Sequence, residues 1–332
     1  MIKNNRVTLR DIAEKTGYTI NTVSRALNHK NDISQKTIEY INSVADEMGY
    51  INDNIASSMR TGRTGTIAVI LADITNPLFA IMVRETEQLA SEYNYSVFIL
   101  NTNEDKNLEL QAIKNALGKK VDGFIICPCP NCHDNLEFLK KAGKPYILIG
   151  RRVEGHPSVI LNDTKSGYLA AKYLIDHYNR RRILFINGLL SISCAEDRLA
   201  GYHMALDEAG IEYQPELMFT TPTKAGSVGK ILRKLAENQI EYDAIFAFSD
   251  LFAYEAINAL TEMGRNVPVD IPIVGIDHLR EKLFYMSPLD SVGAADKTMS
   301  EAAVEILMNT IKDGKSLCPG QICLDVRLFP SS

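Results

Sequence analysis

The chain has 332 residues and a formal net charge of −5, so any nucleic-acid-binding role must be confined to a segment of it. The length predicts two or three domains. The N-terminal residues are polar and no apolar run approaches the length of a membrane span, so we expect a cytoplasmic protein whose six cysteines are reduced thiols.

Residues 8–28 predict a helix, a turn at Gly17 and a second short helix. Thr8 is placed to cap the first helix, with Asp11 as an acidic partner three residues later. Thr19 is placed to cap the second helix. The apolar residues of the second helix recur at helical spacing and are Val23, Ala26 and Leu27. This pattern is typical of a helix-turn-helix unit, although a helical hairpin with a glycine turn also occurs in proteins that never contact DNA.

The outer face of the second helix carries side chains suited to reading base edges in the major groove, since Asn pairs bidentately with adenine and Arg with guanine. These outer residues are Ile20, Asn21, Ser24, Arg25 and Asn28. We predict that Asn21 and Arg25 read bases. The residues expected to position the unit on the DNA are Thr8, Leu9, Arg10 and Thr22.

A third amphipathic helix is predicted from Ser34 to Met48, capped by Ser34. Its expected buried residues are Ile38, Ile41, Val44 and Ala45. Positive charge is concentrated in the first 30 residues, whereas the stretch to residue 59 is mostly acidic. A basic first half is the footprint of a DNA-binding module within an otherwise acidic protein.

From about residue 65, short β-branched runs alternate with helical segments, which predicts parallel sheets covered on both faces. The predicted strands are Thr66–Ala72, Ser96–Leu100, Asp122–Cys127, Tyr146–Gly150, Val159–Leu161, Arg182–Asn187, Asp243–Phe248 and Ile273–Ile276. The predicted helices are Ala80–Tyr93, Leu108–Leu117, Lys165–Tyr178, Asp197–Ala209, Val228–Asn238 and Leu251–Met263. The strands form two groups that meet near residues 162–163. We therefore predict an α/β protein, with a small all-α headpiece followed by two doubly wound parallel-sheet lobes and a cleft between them for a ligand.

These residues carry a resemblance to a known family. The ordered set of marks comprises Thr8-Leu-Arg-Asp-Ile-Ala13, Thr22-Val-Ser-Arg-Ala-Leu27, Gly49-Tyr50, Asn54-Ile-Ala56, Asn76-Pro77, Asp122-Gly-Phe-Ile-Ile126, Asp197-Arg-Leu-Ala-Gly201, Ser249-Asp250 and Val274-Gly-Ile-Asp277. Over essentially its whole length the chain resembles the LacI family of bacterial transcription regulators. The resemblance implies a dimeric, ligand-controlled regulator, expected to be a repressor, that binds a palindromic operator and responds to a small effector in the cleft.

The resemblance also implies a domain plan: a headpiece at 1–51, a hinge helix or linker at 52–63, a first lobe at 64–162 plus about 292–322, and a second lobe at 163–291 plus about 323–330. The hinge would place Met59, where relatives usually have Leu, as a wedge in the minor groove, with small Ala56 allowing close approach. The family's proline before the hinge is absent from Tyr50-Ile-Asn-Asp53. An ordinary linker is the alternative for this segment.

In the cleft, the resemblance assigns effector contacts to Arg198 and Asp277, with Phe79 as a stacking ring. Capping or packing roles are the alternatives for these side chains. The full expected effector set is Asn76, Phe79, Cys127, Cys194, Arg198, Thr221, Ser249, Asp250 and Asp277.

Several cleft positions depart from sugar-responsive relatives. Cysteines stand at 127 and 194, where Asn, Ser or Thr is frequent, and Thr221 replaces an aromatic residue. Gly150 replaces an Asp and is followed by two arginines, Arg151 and Arg152. A cleft with more positive charge than a plain hexose site is expected, so the effector could be a sugar, a sugar phosphate or a sugar acid.

The run Cys127-Pro-Cys-Pro-Asn-Cys-His133 raises the question of a metal, but four ligands within seven residues give poor tetrahedral geometry, and we expect neither a metal nor another cofactor. The common nucleotide-binding and hydrolase motifs are absent from the sequence, so no enzyme is predicted. The alternatives to an effector-controlled regulator are a cytoplasmic solute-binding protein and a regulator controlled by a protein corepressor.

Overall fold

The computed structural model describes residues 7–27, 32–50, 62–223, 226–283, 287–315, 318 and 320–331. It forms two compact units, Met1–Gly62 and Arg63–Ser332, each of which is described by itself. Three predicted DNA-contacting residues lie outside the described residues, namely Asn28, Ala56 and Met59. Among the helices of the described residues, none is long and apolar enough to cross a membrane.

The first unit contains three helices: α1 (Leu9–Thr16), α2 (Ile20–Leu27) and α3 (Gln35–Glu47). The predicted capping box is confirmed, since the Asp11 amide donates to the Thr8 hydroxyl and the Thr8 amide donates to the Asp11 carboxylate at 2.7 Å. Gly17 ends α1 at a φ of 75°, a left-handed conformation that glycine adopts without strain. The Thr19 hydroxyl accepts from the Thr22 amide at 3.1 Å, as predicted for the start of α2.

A small apolar core joins the three helices of this unit. Its buried residues are Ile12, Ala13, Val23, Ala26, Ile38, Ile41, Val44 and Ala45, which include every residue predicted to be buried in α3. On the surface, Lys15 of α1 lies 3.1 Å from Glu47 of α3. The apolar spacing of all three helices therefore fixes which face of α2 turns outward.

The first lobe of the second unit is a six-stranded parallel sheet in the order β11-β5-β4-β3-β1-β2. Its strands are β1 (Thr66–Leu71), β2 (Ser96–Asn101), β3 (Gly123–Ile126), β4 (Tyr146–Ile149), β5 (Ser158–Leu161) and β11 (Gln321–Leu324). Its helices are α4 (Pro77–Glu92), α5 (Lys106–Gly118), α6 (His133–Lys141) and α11 (Met299–Lys312). Strands β3 and β4 are buried along their whole length, as expected for a sheet covered on both faces.

The second lobe is a six-stranded sheet in the order β12-β10-β9-β8-β6-β7, parallel except where β12 pairs with β10. Its strands are β6 (Ile183–Asn187), β7 (Met218–Thr220), β8 (Ala244–Ala247), β9 (Ile273–Ile276), β10 (Asp290–Ala294) and β12 (Val326–Phe329). Its helices are α7 (Asp163–Asp176), α8 (Ser193–Glu208), α9 (Ser227–Glu237) and α10 (Asp250–Glu262), and two short 3-10 helices span Pro215–Leu217 and Leu279–Glu281.

The chain passes between the lobes three times, and two of the predicted crossing points differ from the structure. Strand β10 extends to Ala294 in the second sheet, so the return to the first lobe comes after that residue rather than at about 292. Strand β11 remains in the first sheet to Leu324, beyond the predicted boundary at 322. Helices α6 and α11 and strands β7, β10, β11 and β12 were not predicted from the sequence.

Two glycines allow α7 and α8 to pack with their backbones in contact. A Cβ on Gly201 would lie 1.9 Å from the Thr164 carbonyl oxygen, and a Cβ on Gly167 would lie 2.1 Å from the Arg198 carbonyl oxygen. Only glycine fits such an approach. This contact brings Asp163, the first residue of α7, against the Arg198 side chain of α8.

Candidate functional sites

The outer face of α2 presents the predicted base-reading side chains to solvent. Ile20 is 49% exposed, and Asn21 and Arg25 are also exposed, whereas Ser24 is half-buried. Because Val23 and Ala26 occupy the buried face, the outer residues share one side of the helix. This face is therefore open to solvent, and its contact with DNA stays a prediction.

Arg25 forms an ion pair with Asp32, which lies in the segment before α3. Both side chains are about half exposed, at 45% and 52%, so the pair is solvated. A solvated pair contributes little stability and exchanges readily for another partner. Arg25 is therefore positioned by an acid that a guanine or a phosphate would have to replace.

The residues predicted to position the unit on DNA differ in their exposure and in the hydrogen bonds they already make within the protein. Arg10 is exposed, whereas Leu9 packs partly against the apolar core. The Thr8 hydroxyl donates to Asp11 at 2.8 Å, and the hydroxyls of Thr19 and Thr22 are hydrogen-bonded at 2.9 Å. The threonines thus hold the helix starts in place, and Arg10 is the cation available to a phosphate.

In the second unit, a cavity of about 60 Å³ lies between the two lobes. It is lined by the following residues: Asn76, Leu78, Phe79, Met82, Cys127, Gly150, Arg151, Leu161, Asp163, Cys194, Arg198, Thr223, Phe248, Ser249, Asp277 and Met299. Seven of the predicted effector residues are in this lining, and Thr221 and Asp250 are outside it. Thr223 is in the lining instead of Thr221.

Arg198 is held in the cavity wall by three contacts. Its Nε donates to Asp163 Oδ1 at 2.8 Å, a terminal nitrogen lies 2.7 Å from the same oxygen, and the other terminal nitrogen donates to the carbonyl of Phe248. The guanidinium carbon also lies 4.5 Å from the centre of the Phe248 ring. A guanidinium has five N–H groups, so two remain for a ligand.

Arg151 is paired in the same way on the first lobe. Its two terminal nitrogens donate to the Glu104 carboxylate at 2.8 and 2.7 Å, and one also donates to the carbonyl of Pro128 at 2.9 Å. Arg152 pairs with Asp197 of the second lobe. The expected surplus of positive charge is therefore wrong, because each of these arginines is paired with a carboxylate.

Asp277 follows β9 and is the cavity carboxylate without such a partner. Among the described residues, none donates a hydrogen bond to its side chain, and its backbone has a φ of 117°, a strained conformation for a residue with a side chain. Burial raises the pKa of Asp277 well above its usual value, opposed by the charge of Arg198 and increased by Asp250. Its oxygens can accept hydrogen bonds from a ligand.

Asp250 is hydrogen-bonded to the segment that follows Asp277 and to strand β10. One carboxylate oxygen accepts from the Leu279 amide at 2.8 Å and the other from the Ser291 hydroxyl at 2.6 Å. Burial raises the pKa of Asp250 to about 7. Ser249 lines the cavity and also caps α10. Asp250 is thus a positioning residue rather than part of the cavity lining.

A second chamber of about 260 Å³ lies at the edge of the cleft and shares Thr223 with the inner cavity. Its walls come from both lobes and include Asp73, Glu104, Ile192 and Pro222. Small-molecule sites usually measure about 300–1,000 Å³, so the inner cavity alone is too small for a sugar. A ligand of that size would have to extend into an adjoining space or require a wider angle between the lobes.

Sequence reasoning missed several of the cavity residues. Asp163 could have been predicted, because it begins a helix at the point where the two predicted groups of strands meet. Arg151 was noted, but its acidic partner Glu104 is 47 positions away and carries no local signal. Phe248 is the last residue of a predicted strand, so it could have been predicted, like Ser249, from the rule that ligands bind beyond the C-terminal ends of parallel strands. The apolar Met82 and Met299 cannot be told from core residues by sequence.

Comparison with known proteins agrees with this arrangement. The family of periplasmic binding proteins and sugar-binding domains of the LacI family matches residues 64–321, and the family of bacterial regulatory proteins of the lacI type matches residues 8–53. The chain belongs to the LacI family. Its headpiece and two-lobed core are therefore those of a ligand-responsive, DNA-binding transcription regulator.

Individual LacI-family proteins are similar along most of this regulator's length. The transcriptional regulator DegA of Bacillus subtilis is 31% identical over 89% of this chain and 88% of its own. The transcriptional repressor PurR of Aliivibrio salmonicida is 27% identical over 92% of each chain. The solved Lac repressor dimer bound to operator and the anti-inducer ONPF is 25% identical, covers 98% of each chain and has a TM-score of 0.82.

Proposed function

We propose that this regulator is a homodimeric repressor of a palindromic operator, and that its effector is a small uncharged molecule rich in hydroxyl groups, such as a sugar. The domain plan is a headpiece at 1–51, a hinge at 52–63 and two lobes that close on the effector. The observation that carries the effector assignment is the Asp277 carboxylate, which lines the cavity without a donor among the described residues while the neighbouring arginines are paired.

On DNA, α2 of each subunit would enter a major-groove half-site, with Arg25 and Asn21 on base edges and Arg10 on phosphates. The two hinges would place Met59 in the central minor groove, with Ala56 permitting the approach. The exposed outer face of α2 and the family match over residues 8–53 support this arrangement. The Lac repressor is a dimer on its operator, which supports the same assembly here.

In the cleft, hydroxyl groups of the effector would donate to Asp277 and accept from the two remaining N–H groups of Arg198. An aliphatic ring face would pack on Phe79 and Phe248, which both line the cavity. A phosphate or carboxylate would find no net positive charge there, because Glu104 and Asp163 balance the charges of Arg151 and Arg198. The charge balance therefore favours a sugar over a sugar phosphate or a sugar acid.

Effector binding would change DNA affinity through the angle between the lobes. Among the residues that the structure describes, two ion pairs cross the cleft, Arg152–Asp197 and Lys282–Glu85, so a change of angle must rearrange them. The core begins on the first lobe, where the Asp122 carboxylate accepts hydrogen bonds from the amides of Thr64 and Gly65 at 2.9–3.0 Å. In a dimer, moving one lobe would change the separation of the two linkers and so favour one DNA-binding state.

The operator is found by selecting genomic fragments with the purified full-length protein and footprinting them at two salt concentrations. A protected near-palindrome with a distorted central step and a steep salt dependence supports the proposal. Binding without a preferred site would contradict it for the free protein. Recovery of site-specific binding only after adding a protein partner would identify a corepressor-controlled regulator instead.

The effector is then sought with matched panels of neutral sugars, their phosphates and their acids, with operator affinity as the readout. We expect a neutral member to change operator affinity, and Asp277→Asn to weaken that response about tenfold, because one acceptor oxygen is replaced by an amide donor. Asp207→Asn, an exposed substitution on α8, is the matched control and should respond like the wild type. A response confined to phosphates or acids would overturn the uncharged-effector assignment.

A further inference from the structure

Three potential metal ligands converge on the first lobe, away from the effector cavity. His133 begins α6, Glu137 lies one turn later on the same helix face, and His156 comes from the segment between β4 and β5. Their ligand atoms all lie within 4.8 Å of one another, and Glu137 Oε1 is 3.6 Å from His156 Nε2. Within the described part of the chain, this is the one group of three or more such side chains at that spacing.

His156 supplies a second and independent observation. Its side chain is fully buried, and its Nε2 has no hydrogen-bond partner among the described residues. Its other ring nitrogen, Nδ1, lies 2.6 Å from the Tyr146 hydroxyl. If Nδ1 carries the proton and donates to that hydroxyl, the lone pair of Nε2 faces Glu137, the arrangement usual for a metal-ligating histidine. A buried nitrogen with no partner is otherwise costly to the fold.

One neighbouring cation competes for the same carboxylate. Lys140 lies 3.4 Å from the same Glu137 oxygen and would have to move aside for an ion.

The donor set of two imidazoles and one carboxylate is typical of zinc and other first-row divalent ions. At zinc–ligand distances near 2.1 Å, neighbouring ligand atoms of a tetrahedral site are about 3.4 Å apart. The 3.6 Å between His156 and Glu137 is close to that value, and the exposed His133 can adjust. The fourth position would be open to water.

The cysteines that precede α6 are a poor alternative. Cys127 and Cys132 are each only 2% exposed and are packed within apolar clusters of the first lobe, so neither thiol is open to an ion in this arrangement. Cys129 is hydrogen-bonded to the Thr102 hydroxyl at 3.2 Å. The cysteines next to His133 in the sequence are therefore not expected to bind a metal together with it.

We propose that His133, Glu137 and His156 bind one divalent transition-metal ion, with zinc as the expected occupant. The ion would join α6 to the segment between β4 and β5, which also carries Arg151 of the effector cavity. This proposal differs from the sequence-based expectation of no metal, which considered the cysteine run alone, because His156 comes from a distant part of the chain.

The test is zinc and cobalt titration of the full-length protein after removal of metals with a chelator. The wild type should bind one equivalent of zinc and melt at a higher temperature when zinc is present. His133→Ala and Glu137→Gln each remove an accessible ligand and should weaken zinc binding at least about tenfold. His278→Ala is the matched control and should bind like the wild type, since His278 lies 3.1 Å from Glu281 and the described residues place no third ligand beside them.

Cobalt distinguishes this site from a thiolate site. Nitrogen and oxygen ligation gives only weak visible bands, and we expect no sulfur-to-cobalt charge-transfer band in the near ultraviolet. A charge-transfer band would overturn the proposal in favour of the cysteines. It would also be overturned if a folded wild type bound no stoichiometric zinc, or if His133→Ala bound zinc as tightly as the wild type.

Discussion

Arg25 on α2 and Arg198 in the cleft are both paired with an aspartate, but the two pairs differ in burial. The side chains of Arg25 and Asp32 are about half exposed, whereas those of Arg198 and Asp163 are 7% and 3% exposed. Solvent screens the first pair and leaves Arg25 available to DNA. The second pair is part of the fold, and only its two remaining N–H groups are available to a ligand.

The difference shows how arginine is used in the two functional sites. Under the proposed function, the charge of Arg25 would be the recognition element on α2, with a guanine or phosphate replacing Asp32. In the cleft, the carboxylates of Asp163 and Glu104 neutralise the arginines, so we expect Asp277 to have the larger part in selecting the ligand. We therefore expect removal of Arg25 to affect DNA binding and removal of Arg198 to affect stability.

The largest expected effect is on stability, from Arg198→Ala. The substitution leaves Asp163 buried without its partner and should lower the free energy of unfolding by about 3–5 kcal/mol. Urea denaturation of the full-length protein measures it. The double variant Arg198→Ala/Asp163→Ala should recover part of the loss, because no unpaired charge remains. A loss under about 1 kcal/mol in the single variant would mean that the pair is not part of the fold.

The second effect is on DNA binding, from Arg25→Ala. Because the Arg25 pair is solvated, stability should change little, whereas operator binding should weaken by about 1–3 kcal/mol and specificity should relax at one base position. Quantitative footprinting on the selected operator and on single-base variants measures both. Unchanged affinity and specificity would remove Arg25 as a base-reading residue.

The third effect is a pH dependence of stability from the cleft carboxylates. Burial raises the pKa of Asp277 and brings that of Asp250 to about 7, so the folded protein holds protons that the unfolded chain releases near pH 4. Their contribution is thus fully present at low pH and is lost as pH rises toward 7. Asp277→Asn should flatten this fall in unfolding free energy, measured by urea denaturation between pH 5 and 8. An identical slope in the variant would show that Asp277 titrates normally.

The smallest effect is expected from Asp32→Ala, which frees Arg25 from its solvated partner. Operator affinity should rise by up to about 1 kcal/mol, the usual range for an exposed pair, with little change in specificity. Filter binding at low salt is the measurement. Glu14→Ala, an exposed acid of α1, is the control for a general change of charge. A loss of affinity in Asp32→Ala would indicate that Asp32 holds Arg25 in its DNA-reading position.

Much of this architecture follows from local sequence patterns. The capping residues Thr8, Thr19 and Ser34 begin the three helices as predicted, because a cap acts within one turn of chain. The eight predicted strands are all present, and all of them except the edge strand β2 are buried along most of their length, as continuous β-branched runs of a parallel sheet should be. The edge strands β7 and β11 were missed because they are partly exposed and lack such a run.

The cleft was harder to predict because its electrostatics depend on partners far apart in the chain. From the sequence alone Arg151 is an unpaired cation, but in the structure it is hydrogen-bonded to Glu104. Likewise Asp250 was predicted to contact the ligand, but its carboxylate accepts hydrogen bonds from Leu279 and Ser291. The group of His133, Glu137 and His156 was missed for the same reason, since His156 is separated from α6 by a strand. Sequence patterns identify the residues at strand ends but not which charges neutralise one another.

If Asp277 selects an uncharged effector, operator binding by the headpiece should respond to a neutral sugar and not to its phosphate. This is measured as the operator affinity of the wild type and of Asp277→Asn during titration with a neutral sugar from the selected panel and with its phosphate. We expect the sugar to change wild-type affinity, the phosphate to leave it unchanged, and the variant to lose most of the response. A wild-type response to the phosphate alone, or a full response in Asp277→Asn, would rule out this role of Asp277.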